Sequence, residues 1–435
     1  MRELAINGGT PVRTKPWPVW PMTGEQELAQ LKEVLAAVEG ADRLWGGLLP
    51  CPKATELERK FATYQGCRYG IALATGAAAL EIALYAIGLE VGDEVVTTPL
   101  TWVASASSIL RAGGVPVFVD VEPHTYSMDP DLLHAAISPR TKAILPVHLA
   151  GYPAQIDRIV QIADQHGLYV VEDCAQAHGT LFKGKPVGSF GQNSCFSFQS
   201  SKFMTSGEGG IILTDDQDLW QRCHSYKDCG RLRGDAGYID SKTAFEQANW
   251  GFGLNYRLTE FQAAVLLAQI GRMEEHKNRR MSNARLLCNA FSDMEGLTPL
   301  ELQEGQNIWR FITNYSSEAF DGLSLDRFIA AVRAEGVPLN HFPLPPLPRE
   351  GLYRGYLQLE AGSPGLAVNP KDYRAVHLPV SERAYNEAIC YLQQNVLLGE
   401  ASDMEDIVAA VAKVRAFRAE SNPFEGLNLN SVFEG

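Results

Sequence analysis

The strongest constraint on this chain is a rhythm between residues 69 and 214. Short apolar runs alternate there with segments of helical periodicity. The pattern predicts strand Tyr69–Ala74 leading to helix Ala77–Ile87, and strand Glu94–Thr98 leading to helix Trp102–Arg111. It continues with strand Val115–Val119 and helix Pro130–Ala136, then strand Lys142–Val147 and helix Ala154–His166. Strands Leu168–Glu172, Ser194–Phe198 and Gly210–Thr214 complete it. Such alternation implies an α/β fold with a mainly parallel sheet between helices. Ligands of such sheets sit at the carboxyl ends of the strands.

Composition narrows the classes of function. A chain of 435 residues that is 46% apolar can build two domains with sizeable cores. A net charge of −13 argues against nucleic acid as the main partner, because that role needs a basic face. The eight cysteines form no C-x-x-C pair, so no metal site is expected. Scattered thiols suit a reducing, cytoplasmic setting. The stretch Met1–Gly9 lacks the apolar core of a signal peptide. The apolar window from Gly70 to Leu89 carries Thr75, Gly76 and Glu81. It reads as a strand turning into a helix, so no membrane span is expected.

The chain divides into an arm over residues 1–22, a large domain over 23–280, a smaller domain over 281–418 and a tail over 419–435. The arm is rich in proline and tryptophan. Helix Glu25–Val38, loop Leu44–Pro50 and helix Lys53–Tyr64 precede the alternating region. Glycines and polar residues crowd 230–257. Thr259 and Gln262 then form a T-x-x-Q capping box for a long helix reaching about Arg280. Beyond residue 285 a shorter α/β region holds the proline-rich loop Phe342–Pro348 and ends in helix Met404–Phe417. The tail has little periodicity, which fits either disorder or packing on a partner.

Several polar residues fall at predicted strand ends. Thr75-Gly76-Ala77 stands where a strand turns into a helix. Free amides at a helix N-terminus bind anions, and glycine lets a phosphate approach. The same residues also suit an ordinary strand–helix turn. Asp173 follows an apolar strand, where a carboxylate can hold the proton of a pyridine nitrogen or simply cap the next segment. Gln176 could donate to a ring oxygen. Trp102 could stack on a flat ring or serve as core. His148 could orient a ligand or be a hydrogen-bonded structural histidine. Ser197 suits a phosphate ligand or a small polar filler.

Lys202 lies between the run Phe196–Phe198 and the glycine turn Gly207–Gly210. A buried lysine near positive charge loses its proton easily, and a neutral amine forms a Schiff base with a carbonyl. Alone it reads first as a solvated loop lysine. Together, an anion site, a stacking ring, an acid for a pyridine nitrogen and a lysine fit pyridoxal 5′-phosphate. A dinucleotide fits poorly, because no G-x-G-x-x-G follows the first strand.

Five runs carry a family resemblance: Thr75–Leu80, Pro116–Val121, Glu172–Gly179, Phe196–Lys202 and Asn255–Glu260. Their order and wording resemble the pyridoxal-phosphate-dependent sugar aminotransferases of the DegT/DnrJ/StrS family, a branch of the fold-type I enzymes. The resemblance implies a large domain with a mainly parallel sheet and a smaller C-terminal α/β domain. It implies Lys202 as Schiff-base lysine and proton shuttle, and Asp173 as partner of the pyridine nitrogen. It places Gln176 near the ring hydroxyl and Trp102 on the ring face. Gly76, Ala77 and Ser197 would hold the phosphate. Asn255 would reach the phosphate of a neighbouring subunit, giving a homodimer with shared active sites. Where the family usually has a hydroxyl residue, this chain has Ala77. The wording around Lys202 and Gly207–Gly210 is similar to enzymes acting on keto-cyclitols such as scyllo-inosose, which generally take nitrogen from L-glutamine. It also resembles the 3-amino-5-hydroxybenzoate synthases. The implied partners are an amino-acid donor and a keto-cyclitol or keto-sugar acceptor. A sugar dehydratase would carry histidine in place of Lys202. A non-catalytic regulator on the same fold should have lost Lys202 or Asp173.

Overall fold

The computed structural model describes residues 3–37, 52–234, 237–238, 253–351, 353 and 372–417. The expected loop Leu44–Pro50 and the tail from Ala419 to Gly435 lie outside the described residues.

Seven strands form one sheet: β1 (Tyr69–Leu73), β2 (Glu94–Thr97), β3 (Val115–Phe118), β4 (Thr141–Leu145), β5 (Tyr169–Asp173), β8 (Asn193–Ser197) and β9 (Gly210–Thr214). A small hairpin, β6 (Leu181–Phe182) with β7 (Lys185–Pro186), lies between β5 and β8. The strand order is β1-β9-β8-β5-β4-β2-β3. The pairs from β8 across to β3 are parallel, whereas β9 runs against both neighbours. The reason is the link over residues 198–209, which holds no helix to carry a crossover back to the far end of the sheet.

Side-chain alternation along the strands feeds two cores. Ala72, Val96, Ile144, Val170, Phe196 and Ile211 face one side, against Phe61 of α2 (Pro52–Tyr64) and Ile159 of α6 (Ile156–His166). Ile71, Leu73, Val95, Leu145, Val171 and Ile212 face the other, against Leu80, Ile82 and Leu84 of α3 (Gly76–Ala86). The strands have almost no polar face because helices cover both sides. Each such Val, Leu or Ile contributes roughly 1.5–3 kcal/mol.

The other helices of this part are α1 (Glu25–Ala36), α4 (Ala104–Arg111), α5 (Leu133–Ala136), α7 (Gln217–Lys227) and α8 (Glu260–Ile270), while α9 (Met273–Ser292) follows and buries Met281, Leu287 and Phe291 in a separate core. The capping box at Thr259 and Gln262 forms reciprocally, with Gln262 accepting from the Thr259 amide at 3.1 Å. The single long helix ending near Arg280 is corrected, however. Gly271 closes α8, and the Arg272 guanidinium turns aside to the Met22 carbonyl at 2.6 Å and to Glu27. The chain then starts α9, which runs to Ser292.

After a short hairpin, β10 (Arg233–Gly234) with β11 (Gly237–Tyr238), a second sheet forms from β12 (Leu297–Pro299), β13 (Arg310–Tyr315), β14 (Asn340–His341) and β15 (Ile389–Gln393). Its order is β12-β13-β15-β14, antiparallel throughout. With α10 (Leu325–Ala334), α11 (Pro379–Arg383) and α12 (Ala401–Phe417) it encloses its own core around Phe311, Phe328, Val332, Leu392 and Ile407. The N-terminal arm fastens onto this part. Arg13 pairs with Asp403 at 2.8 Å, and Glu335 accepts from the Ala5 amide at 2.8 Å and the Val12 amide at 3.1 Å. Among the described residues no helix is long and apolar enough to cross a membrane.

Candidate active site

The carboxyl edge of the large sheet opens into a cavity of about 510 Å³. Its walls include Gly76, Ala77, Trp102, Asp173, Gln176, Ser197 and Lys202. A wider groove of about 800 Å³, lined by Tyr126, Asn314 and Arg383, lies elsewhere and contains none of these residues.

One wall is the start of α3. Thr75 caps the helix, accepting from the Ala78 amide at 3.0 Å. The amides of Gly76 and Ala77 belong to the first turn and have no intrahelical acceptor. Ser197 ends β8 directly against them. A Cβ on Gly76 would lie 2.7 Å from the Ser197 Cβ and 3.0 Å from its Oγ, so glycine alone permits this approach. Gly210 serves the neighbouring strand likewise, since a Cβ there would meet the Thr75 carbonyl at 2.4 Å. The result is a pair of free amides beside a hydroxyl, a suitable cradle for a phosphate.

Asp173 is the last residue of β5 and only 4% exposed. Its Oδ2 accepts from the Ser105 hydroxyl at 2.7 Å, and its Oδ1 accepts from the Ala175 amide at 3.1 Å. Thr101 and Ser105 hydroxyls lie 3.0 Å apart, extending the chain of hydrogen bonds. Burial raises the Asp173 pKa, and the Ser105 hydrogen bond pulls it partly back. Among the described residues the carboxylate is therefore held with two donors and no cationic partner in contact, and it still has lone pairs to offer. Gln176 accepts from the Ala150 amide at 2.7 Å, which fixes its carboxamide and leaves its N–H groups for the cavity. Trp102 precedes α4 and is 56% exposed at the cavity wall, so it is not core.

Lys202 is 8% exposed, which removes the reading of a solvated loop lysine. Its backbone amide donates to the Gln199 carbonyl at 2.9 Å, and Gln394 donates to the carbonyls of Ser201 and Lys202 at 3.1 Å each. The amine sits 3.8 Å from the centre of the Trp309 ring. Burial and then the nearby Arg310 push its pKa down to about 7, against a pull upward from Asp173. An amine so placed is partly neutral at ordinary pH and can accept a proton.

Two candidates lie away from this cavity. His148 is fully buried between the Glu172 carboxylate at 3.0 Å and the Ala154 amide at 3.1 Å, so it is a structural histidine. His148, Glu172 and Cys174 cluster closely, but Glu172 already accepts from the amides of Gly188, Phe190 and Gly191. Asn255 is exposed, with its side chain accepting from the Arg257 amide at 3.3 Å, and it does not line this chain's cavity.

The structure adds wall residues that periodicity does not reveal: Ser105, Trp309, Arg310 and Phe342–Leu344. Ser105 looks like any small helical residue. Trp309, just before β13, and Arg310, its first residue, lie more than a hundred residues beyond Lys202, and no local pattern marks them. The Trp309 indole donates to the Ser201 carbonyl at 2.8 Å, tying that strand to the lysine loop.

A buried lysine, an acid and a helix N-terminus at the carboxyl edge of a mainly parallel sheet define an aminotransferase of fold type I. Residues 29–397 match the profile of the DegT/DnrJ/EryC1/StrS aminotransferase family, and the chain belongs to that family. It is 38% identical over 431 residues to an L-glutamine:2-deoxy-scyllo-inosose aminotransferase of Streptoalloteichus tenebrarius, covering 96% of this chain and 99% of that protein. The fold is similar to that of 3-amino-5-hydroxybenzoic acid synthase, with a TM-score of 0.78 and 27% identity over 93% of this chain and 100% of the other. An aminotransferase from Psychrobacter cryohalolentis matches with a TM-score of 0.78 and 31% identity over the same shares.

Proposed function

We propose that this protein is a pyridoxal 5′-phosphate-dependent aminotransferase that moves an amino group from L-glutamine to a ketone on a cyclitol. The observation that carries this reading is the meeting of Lys202, Asp173 and the free α3 amides in one cavity. The cyclitol and the glutamine donor come from the named relative, and the same assignment recurs in a Streptomyces paromomycinus relative at 36% identity.

The residues fit the cofactor on two counts. Asp173 is a buried carboxylate that, among the described residues, has no cation in hydrogen-bond contact, so it suits a protonated pyridine nitrogen. Gly76, Ala77 and Ser197 form an anion cradle closed off by Cβ packing. When bound, pyridoxal 5′-phosphate supplies an aldehyde that carries nitrogen and a ring that takes up electrons. Asp173 would hold the ring proton, Gln176 would donate to the ring oxygen, and Trp102 would pack against the ring. Lys202 Nζ would take the proton from the donor α-carbon as general base and deliver it as general acid within the same half-reaction, and the order would reverse with the acceptor. Asn255 serves the phosphate of the neighbouring subunit, so the working unit is a homodimer. Localisation in the cytoplasm agrees with the scattered thiols.

Absorbance tests the cofactor. The purified protein takes up pyridoxal 5′-phosphate and absorbs visible light, and Lys202→Ala loses that band. A wild-type protein that binds no cofactor ends the reading. Mass spectrometry of a reaction with 2-deoxy-scyllo-inosose and L-glutamine should then find the amino-cyclitol. Its absence, alongside product from nucleotide-linked keto-sugars, would move the acceptor to sugars.

A further inference from the structure

Resting on the aminotransferase reading, we propose that Arg280 is a positioning residue: its guanidinium orients the carboxamides of Gln394 and Asn307, and these hold the backbone at Lys202 and beyond Asp173 in place for proton transfer. Arg280, Gln394 and Asn307 are not among the described residues that line the cavity. Arg280 lies on α9 and is fully buried. Its Nε donates to the Asn307 side-chain oxygen at 3.1 Å, and its Nη1 donates to that of Gln394 at 2.9 Å. The guanidinium carbon lies 4.7 Å from the centre of the Phe203 ring.

This cation is held unlike two other buried arginines. Arg13 pairs with Asp403 and Arg233 with Glu58, at 2.8 and 2.6 Å. Among the described residues Arg280 has no carboxylate partner, and its buried Nη2 has no acceptor. Burying a charge against two neutral amides is costly, and the Phe203 ring only cushions it. An apolar side chain would fill the same space at lower cost. What the guanidinium alone supplies is a rigid fork of donors with no acceptor.

A carboxamide has an acceptor on one side and donors on the other, so it can sit either way round. Facing a group that only donates, both amides turn their oxygens to Arg280 and their N–H groups away from it. Gln394, just past β15, then donates to the carbonyls of Ser201 and Lys202 at 3.1 Å each. Asn307, ahead of β13, donates to the His178 carbonyl at 2.8 Å, five residues beyond Asp173. Lys277, nearly one turn earlier on α9, donates to the next carbonyl, that of Gly179, at 2.6 Å. One helix thus fastens the loop that carries the amine and the loop that follows the acid. The Lys202 amine rests on the Trp309 ring, 3.8 Å from its centre, a contact with little direction. Its placement is therefore inherited from the backbone, and a misplacement of about 1 Å at a reacting group can cost about 100-fold in rate.

The test compares three variants whose Tm stays near that of wild type. Arg280→Lys and Gln394→Met keep the charge but break the relay, whereas Arg280→Met removes both. In the holoenzyme, a single turnover with L-glutamine should slow by about 10–100-fold in all three, with the half-saturating donor concentration within about threefold of wild type. A second measurement uses cofactor-free protein. Acetylation of Lys202 by acetic anhydride, read by peptide mass spectrometry across pH, should show a midpoint near 7 in wild type, where burial and Arg310 act against Asp173. Freed from its tether the amine reaches water, so the midpoint should rise by about one pH unit or more in both charge-keeping variants. An unchanged rate or midpoint in either Arg280→Lys or Gln394→Met overturns the proposal. A shift confined to Arg280→Met does so as well, because it would be the effect of charge alone. Where Arg280→Met fails to fold, the charge-keeping pair decides. A wild type that binds no cofactor ends the aminotransferase reading, while the acetylation profile still judges Arg280.

Discussion

Strand β5 ends in two adjacent carboxylates with opposite fates. Glu172 and Asp173 point to opposite sides of the same strand, and both are almost wholly buried. Glu172 accepts from the amides of Gly188, Phe190 and Gly191 at 2.8, 2.8 and 2.7 Å, and meets His148 at 3.0 Å. These donors outweigh burial and hold its pKa below the usual carboxylate value. Asp173 has two donors, and burial wins, so its pKa rises. A saturated carboxylate is part of the scaffold. An under-satisfied one at a cavity has capacity left for a ligand.

The contrast predicts a double dissociation. Asp173→Asn should lower turnover on the order of 10³-fold while leaving urea stability nearly intact, because the amide keeps the shape and loses the charge. Glu172→Gln should do the reverse: it leaves His148 and three amides with a weaker acceptor and costs about 3–5 kcal/mol. Turnover per folded molecule should stay close to wild type. Equal effects of the two substitutions on stability would break the comparison between scaffold and site.

A third experiment sharpens it from the cationic side. Lys202 is buried with its pKa near 7, against about 10.4 in an unfolded chain. Between these values the unfolded state holds more protons, so stability of the cofactor-free protein rises with pH across that window. Below pH 7 the full cost of burying the charge is present, a few kcal/mol. Lys202→Met should therefore stabilise the cofactor-free protein most below pH 7, with the advantage shrinking as pH rises. Denaturant midpoints measured across this range give the answer, and a pH-independent difference would contradict the buried charge.

Much of this contrast is legible in sequence. The alternating runs reveal the sheet, and Gly76, Asp173, Ser197 and Lys202 all fall at or just past strand ends. What chain order hides is direction and distance. The reversal of β9 depends on a link without a crossover helix, not on residue pattern. The break after Gly271 depends on where the Arg272 guanidinium finds its acceptors, Met22 at the end of the N-terminal arm and Glu27 in α1. Trp309 and Arg310 enter the site from a second sheet, so only the folded chain brings them to Lys202. Glu172 and Asp173 are chemically alike in sequence, and the donors that distinguish them come from helix α4 and from the loop before β8.

The smallest expected effect concerns how finely Asp173 is set. The Ser105 hydroxyl donates to Oδ2, which favours the ionised form, and it stands 3.0 Å from the Thr101 hydroxyl. Ser105→Ala removes a donor from a buried carboxylate that burial already disfavours. The Asp173 pKa should rise further, because the lost bond stabilised only the charged state. Activity that needs the ionised acid falls as pH drops through this pKa, so the acid limb of the rate profile should move to higher pH. A lost hydrogen bond to a charged group is worth roughly 1.5–3 kcal/mol, and relaxation into the cavity should reduce the visible shift to about one pH unit. Thr101→Val should shift the limb in the same direction by less, since that hydroxyl acts only through Ser105. An unchanged acid limb in Ser105→Ala would mean that the two hydroxyls merely fill space, and that the Ala175 amide alone distinguishes Asp173 from a saturated carboxylate such as Glu172.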